Sequence, residues 1–141
     1  MIFKAVETFL PHADKIILSG VPGNHGEMTR SSKGQVLTSR LDNSDTMHIE
    51  IMDEIFKANP KRYKKVKVIV PESYHLNLNV KGIEMAFTHG HMSTGSGNAE
   101  AKIESWWKGQ MYGFLPPGNA KILITAHYHH FRAKTQGDRH W

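Results

Sequence analysis

The chain has 141 residues, 39% of them hydrophobic and 22% charged, which fits one ordinary globular domain over residues 1–141 and leaves too little for two good cores. No apolar run reaches the length of a membrane span, and residues 1–10 lack the charged start and cleavage pattern of a secretory leader, so a cytoplasmic protein is expected. The absence of cysteine excludes disulfides and thiolate ligands, while a net charge of +5 favours anionic partners such as phosphate esters or nucleic acid.

In chain order, Ile2, Phe3, Val6, Phe9 and Leu10 make one helical stripe, ended by Pro11. Residues 15–21 read as a buried strand stopped by Pro22-Gly23, and residues 26–45, rich in Ser, Thr, Gly and Arg, as a long surface loop. A helix follows, with Asp45 as N-cap and Ile51, Met52, Ile55 and Phe56 on its inner face, ended at Asn59-Pro60. Residues 66–70 form a strand. Residues 76–80 and 83–87 alternate at period two and join through Lys81-Gly82 as a hairpin. Asn98 caps a helix from Ala99 to Tyr112, where Ile103, Trp106, Trp107 and Met111 fall on core spacing; Pro116-Pro117-Gly118 breaks it. Residues 121–125 are a continuous apolar strand and residues 131–135 another. Strands alternating with helices give an α/β class.

Three histidine-bearing clusters lie where predicted strands run out into loops: Gly23-Asn24-His25, Thr88-His89-Gly90-His91 and Ala126-His127-Tyr128-His129-His130. In extended backbone, side chains two apart share a face, so His127 and His129 can serve as a pair of metal ligands; the plain alternative is a solvated polar loop. His89 and His91 have the same spacing, and Gly90 lets the backbone turn close to a ligand. The Asn24 carboxamide is a fair hard ligand, and the neighbouring His25 can donate a proton or steady charge on a phosphoryl oxygen. An Asn-containing turn is the alternative there. Imidazoles with a carboxamide and no thiolate suit a divalent transition ion.

In this order the clusters resemble three motifs of the calcineurin-like metallophosphoesterase family, which includes phage-encoded members. Gly23-Asn24-His25 resembles Gly-Asn-His-Asp/Glu, with Gly26 inserted before Glu27; His89-Gly90 resembles the fourth motif; Ala126-His127-Tyr128-His129 resembles Gly-His-x-His, with Ala for Gly. The resemblance runs over roughly residues 1–135. It implies mixed β-sheets in a sandwich flanked by helices, with the N-terminal strands missing here. It also implies that Asn24, His89 and His127 hold one metal, that His129 belongs to a second, and that His25 assists the leaving group. The implied activity is metal-dependent phosphoester hydrolysis, of phosphodiesterase or nuclease-like type, with one or two ions of manganese, zinc, iron or nickel.

The family's first two motifs, Asp-x-His and Gly-Asp-x-x-Asp, do not occur before Gly23, where Asp14 is the only aspartate. That removes the bridging carboxylate, so one ion suits these residues better than two. Asp138-Arg139-His140 carries an Asp-x-His pattern at the far end, and Asp42 or Asp45 can donate a carboxylate from the loop. The chain therefore reads as the C-terminal portion of a longer phosphoesterase, with open sheet edges that a second copy can cover. The other reading is a catalytically incomplete protein that binds nucleic acid through Arg30, Lys61, Arg62, Lys64 and Lys65, or pairs with a partner chain. The basic run at 61–65 is equally a solvated edge that blocks aggregation.

Overall fold

The apolar stripe at the start of the chain folds as helix α1, Ile2–Phe9, with Val6 as its buried member and Phe3 and Phe9 partly in solvent. A computed structural model describes residues 1–29 and 42–141. Strand β1, Ile16–Ser19, lies parallel to β2, Val66–Ile69, with Ile16 opposite Val66 and Ser19 opposite Ile69. Helix α2, Ser44–Ala58, lies between them in the chain, as a parallel pair requires. Val6, Phe56 and Tyr63 form the core of this half, packed by Ile16, Leu18, Val66 and Val68 from the strands. No residue of β1 or β2 is fully buried.

Two details of α2 differ from expectation. Asn43, not Asp45, is the cap: its backbone is extended (φ −141°, ψ 128°) and its side chain accepts the Asp45 N–H at 2.9 Å. Asp45 lies inside the first turn and is left for another task. The covered face holds Thr46, Ile49 and Phe56, with Met52 packed beside them, while Ile51 and Ile55 are exposed. Ile49, Met52 and Phe56 follow one another at steps of three and four residues; a face that also held Ile51 and Ile55 is wider than the underlying strands cover.

The second half is built on the expected hairpin. Strands β3, His75–Val80, and β4, Ile83–Thr88, are antiparallel, and their two-residue turn puts Lys81 and Gly82 at φ of 51° and 86°, as a primed turn requires. Helix α3, Ala99–Tyr112, starts on Asn98, whose side chain accepts the Ala101 N–H at 3.0 Å, and leads to β5, Ile122–Thr125, parallel to β4. Ile103 and Trp107 of α3 pack on Ala86, Ala120 and Leu123, and the Trp107 indole N–H donates to the Pro117 carbonyl at 2.6 Å. The core role expected for the tryptophan pair holds, with Trp107 buried and Trp106 packed against the cluster.

The strand expected over residues 131–135 does not form. Arg132 and Lys134 reach the carboxylates of Glu100 and Glu104 on α3, and backbone pairing begins only at Lys134, which exchanges hydrogen bonds with Trp141, and continues through β6, Thr135–Gln136, against β7, Arg139–His140. The sheet order is β3-β4-β5-β7-β6. Asp138-Arg139-His140 closes this sheet and supplies no permuted metal site. Arg139 donates to the Gly118 and Ala120 carbonyls at 2.8 and 2.9 Å, Asp138 pairs with Lys121, and His140 hydrogen-bonds Thr135. The architecture is mixed α/β: a five-stranded mixed sheet with flanking helices, beside a two-stranded parallel pair. No helix among the described residues is long and apolar enough to cross a membrane.

Candidate metal centre

Parallel pairing is what gathers the histidines. Thr88 at the end of β4 lies opposite Thr125 at the end of β5, so residues 89–91 and 126–130 leave the sheet at one edge, and the Ala126 N–H donates to the His89 carbonyl at 3.2 Å. Gly90 between the two imidazoles has φ of 97°, a left-handed conformation that glycine adopts without strain. The loop after β1 arrives at the same place. Asn24 Oδ1 lies 2.9 Å from His89 Nε2, and the His127 ring centroid is 5.1 Å from that of His89. Strand ends converging on one crevice are where open α/β sheets place their ligands.

These separations suit a shared ion. With metal–ligand bonds of about 2.1 Å, two donors on neighbouring coordination positions stand roughly 3 Å apart, and two imidazole centroids on a tetrahedral ion roughly 5 Å apart. The Asn24–His89 and His89–His127 separations are thus compatible with a shared cation, and the three donors are of types that a divalent transition ion takes. Among the described residues, no three histidine or carboxylate groups are placed to hold a metal ion by themselves. His25 and His129 are exposed and reach the cluster through their charge, which acts on His89.

A polar clamp fixes the Asn24 loop. The Asn43 amide, only 1% exposed, donates to the Gly23 carbonyl at 2.9 Å, and the Asp45 carboxylate accepts the Gly23 N–H at 3.0 Å. Gly26 lies so close that a Cβ there would fall 2.6 Å from Asp45 Oδ2 and against the Asn43 side-chain oxygen Oδ1, so only glycine fits. Glu27 turns inward towards His91, with 3.7 Å between Oε1 and Nε2 and side chains 5% and 9% exposed. That pair ties the loop after β1 to the loop after β4. The inserted Gly26 thus lets Glu27 turn inward beside His91.

Burial and neighbouring charges act together on His89. Burial, followed by the charge of His127, holds the His89 imidazole below its ordinary value of 6.5, while the Asp45 carboxylate pulls the other way. The folded chain therefore resists a proton that the unfolded chain accepts. Stability from this group is present above pH 6.5 and is lost as the pH falls through the lowered folded value. Urea titrations of metal-free protein should show that decline, with a shallower slope in His89→Gln. Asp45→Asn keeps an oxygen for the Gly23 N–H but removes the negative charge; manganese affinity measured by calorimetry should fall about tenfold.

Residues 127–129 are not extended, contrary to expectation. His127 and His129 have φ of 73° and 54°, so the period-two argument does not apply, and the turn places the two rings individually. Left-handed backbone at a residue with a side chain costs about 1–2 kcal/mol, and such positions cluster at ligand clamps. His129→Gly should raise stability by roughly 1 kcal/mol and leave manganese affinity unchanged. Retained binding would separate His129 from the ligand set, as a melting curve with and without manganese would register.

Not every candidate residue gathers here. The run at 61–65 precedes β2, and since β1 and β2 are parallel it sits at the end of that sheet opposite Asn24. Arg62 and the Tyr63 hydroxyl both donate to Glu7, holding its carboxyl below the usual carboxylate range, and Lys65 donates to the Ala13 carbonyl at 2.9 Å. Lys61 and Lys64 are exposed, and Arg30 lies outside the described residues. Sequence reasoning did not assign Asn43 or the Glu27–His91 pair. The spare polar residues at Asp42-Asn43-Ser44-Asp45 were the available signal, because a helix start uses one cap and this stretch offers four. No family model, curated protein or solved structure matches this chain.

Proposed function

We propose that this chain is a metal-dependent phosphoester hydrolase, of phosphodiesterase or nuclease-like type, and that its two sheets correspond to part of a calcineurin-like sandwich. The observation that carries the reading is the meeting of Asn24, His89 and His127 at the ends of three strands. Those three residues hold one manganese, zinc, iron or nickel ion. Such an ion lowers the pKa of a bound water and neutralises phosphoryl oxygens.

The protein's own residues do the rest. The Asn43–Asp45 clamp holds the Asn24 carboxamide against His89 before substrate arrives, so little reorganisation accompanies the reaction. His25, exposed beside Asn24, gives a proton to the ester oxygen as the P–O bond breaks and the water oxygen bonds to phosphorus. The net charge of +5 draws anionic esters, nucleic acid included, towards the chain. The absence of cysteine suits a reducing cytoplasm.

Bis(p-nitrophenyl) phosphate with manganese tests this reading. Release of nitrophenolate that stops on chelation and in His89→Ala supports it, and no release with any of the four metals counts against it. A second reading rests on the two-stranded sheet, where no residue of β1 or β2 is fully buried. Here the chain is catalytically incomplete and pairs with a second copy or a partner strand along that edge. A mass that rises with concentration, without hydrolysis, would favour it.

A further inference from the structure

Next to the metal centre, Ile103, Ala126, Tyr128 and Trp141 line a cavity of about 220 Å³, and His127 belongs to its wall as well as to the histidine cluster. Its size is below the ~300–1,000 Å³ of sites that enclose drug-sized molecules, so it suits a single ring system. Two cations, Arg132 and Lys134, also line it, and each is paired with a carboxylate. Arg132 pairs with Glu100 at 3.0 Å, and Lys134 with Glu100 and Glu104 at 2.9 and 3.0 Å. Glu104 also takes Lys108 at 2.7 Å, so three cations share two carboxylates and both lining cations are already engaged.

The aromatic walls are held in place. Trp141 packs edge-on to Trp107 at 5.5 Å and carries Lys134 over its ring at 5.1 Å, and Tyr128 meets the His127 ring at 5.0 Å. Aromatic side chains held in place around a ring-sized cavity, with its two cations already engaged by carboxylates, favour a planar ring. We infer that this cavity receives the nucleobase of the substrate, while its phosphate meets the ion held by Asn24, His89 and His127. The phosphate half rests on the hydrolase reading; the base half does not.

Adenosine, which has no phosphate, separates the two. Titrated into the metal-free full chain and followed by tryptophan fluorescence and calorimetry, it should bind one to one, with ribose 5-phosphate binding at least tenfold more weakly. Ala99→Phe, which fills the cavity from the start of α3, should weaken adenosine at least tenfold. If that variant does not fold, Tyr128→Ala should show the loss and Tyr128→Phe should not. Absent adenosine binding, equal affinity for ribose 5-phosphate, or adenosine affinity unchanged in a folded Ala99→Phe overturns the inference. Hydrolysis of bis(p-nitrophenyl) phosphate without adenosine binding sinks the base site and leaves the hydrolase reading; adenosine binding without hydrolysis does the reverse.

Discussion

His89→Ala is expected to reduce metal-dependent hydrolysis by about three orders of magnitude, on the order of 4 kcal/mol of transition-state stabilisation. His89 sits at the middle of the arrangement: its Nε2 lies 2.9 Å from Asn24 Oδ1, and its ring is 5.1 Å from His127 and 5.3 Å from His91. Removing it takes away a ligand and also the group against which Asn24 is positioned. Manganese affinity should therefore fall at least a hundredfold by calorimetry. The fold should survive, because the first core, around Ile103, Trp107 and Leu123, and the second, around Val6, Phe56 and Tyr63, contain no part of His89. An unchanged rate in a folded variant would place the chemistry elsewhere.

Asn43→Ala should give the largest loss of stability, about 2–4 kcal/mol, summing a lost helix cap and a buried carbonyl left without its donor. One side chain does both jobs, accepting the Asp45 N–H at 2.9 Å and donating to the Gly23 carbonyl at 2.9 Å from a position 1% exposed. For a domain of this size the melting temperature should drop by roughly 6–15 °C. The same change frees the Asn24 loop, so manganese affinity should fall as well. Asn43→Asp retains the acceptor but not the donor, and should recover the cap's share of the loss without the rest.

Much of the fold was legible because its signals are local. Alternation over 76–80 and 83–87 with Lys81-Gly82 between gave the hairpin, Asn98 gave the start of α3, and Ile103 with Trp107 gave its buried face. The misses share a cause, which is tertiary demand on residues that have two local uses. Asp45 is a good cap by type, yet Asn43 takes that role and Asp45 binds Gly23. Residues 131–133 have strand character, yet they lie outside the sheet, where Arg132 answers to the Glu100 carboxylate of α3. For the site, the three clusters are legible as strand-end loops. Their meeting depends on β4 and β5 being parallel neighbours, and no residue in either strand announces that. The backbone of His127 and His129 was the least accessible, since left-handed backbone is uncommon at residues other than glycine, even for histidine, one of the types that adopts it more often.

The central claim is that Asn24, His89 and His127 share one cation. The most direct test is elemental analysis of protein loaded with manganese or zinc and freed of excess, run beside His89→Ala. One ion per native chain and none in the variant is the predicted result. No bound ion in the native protein, or an equal amount in the folded variant, would contradict it.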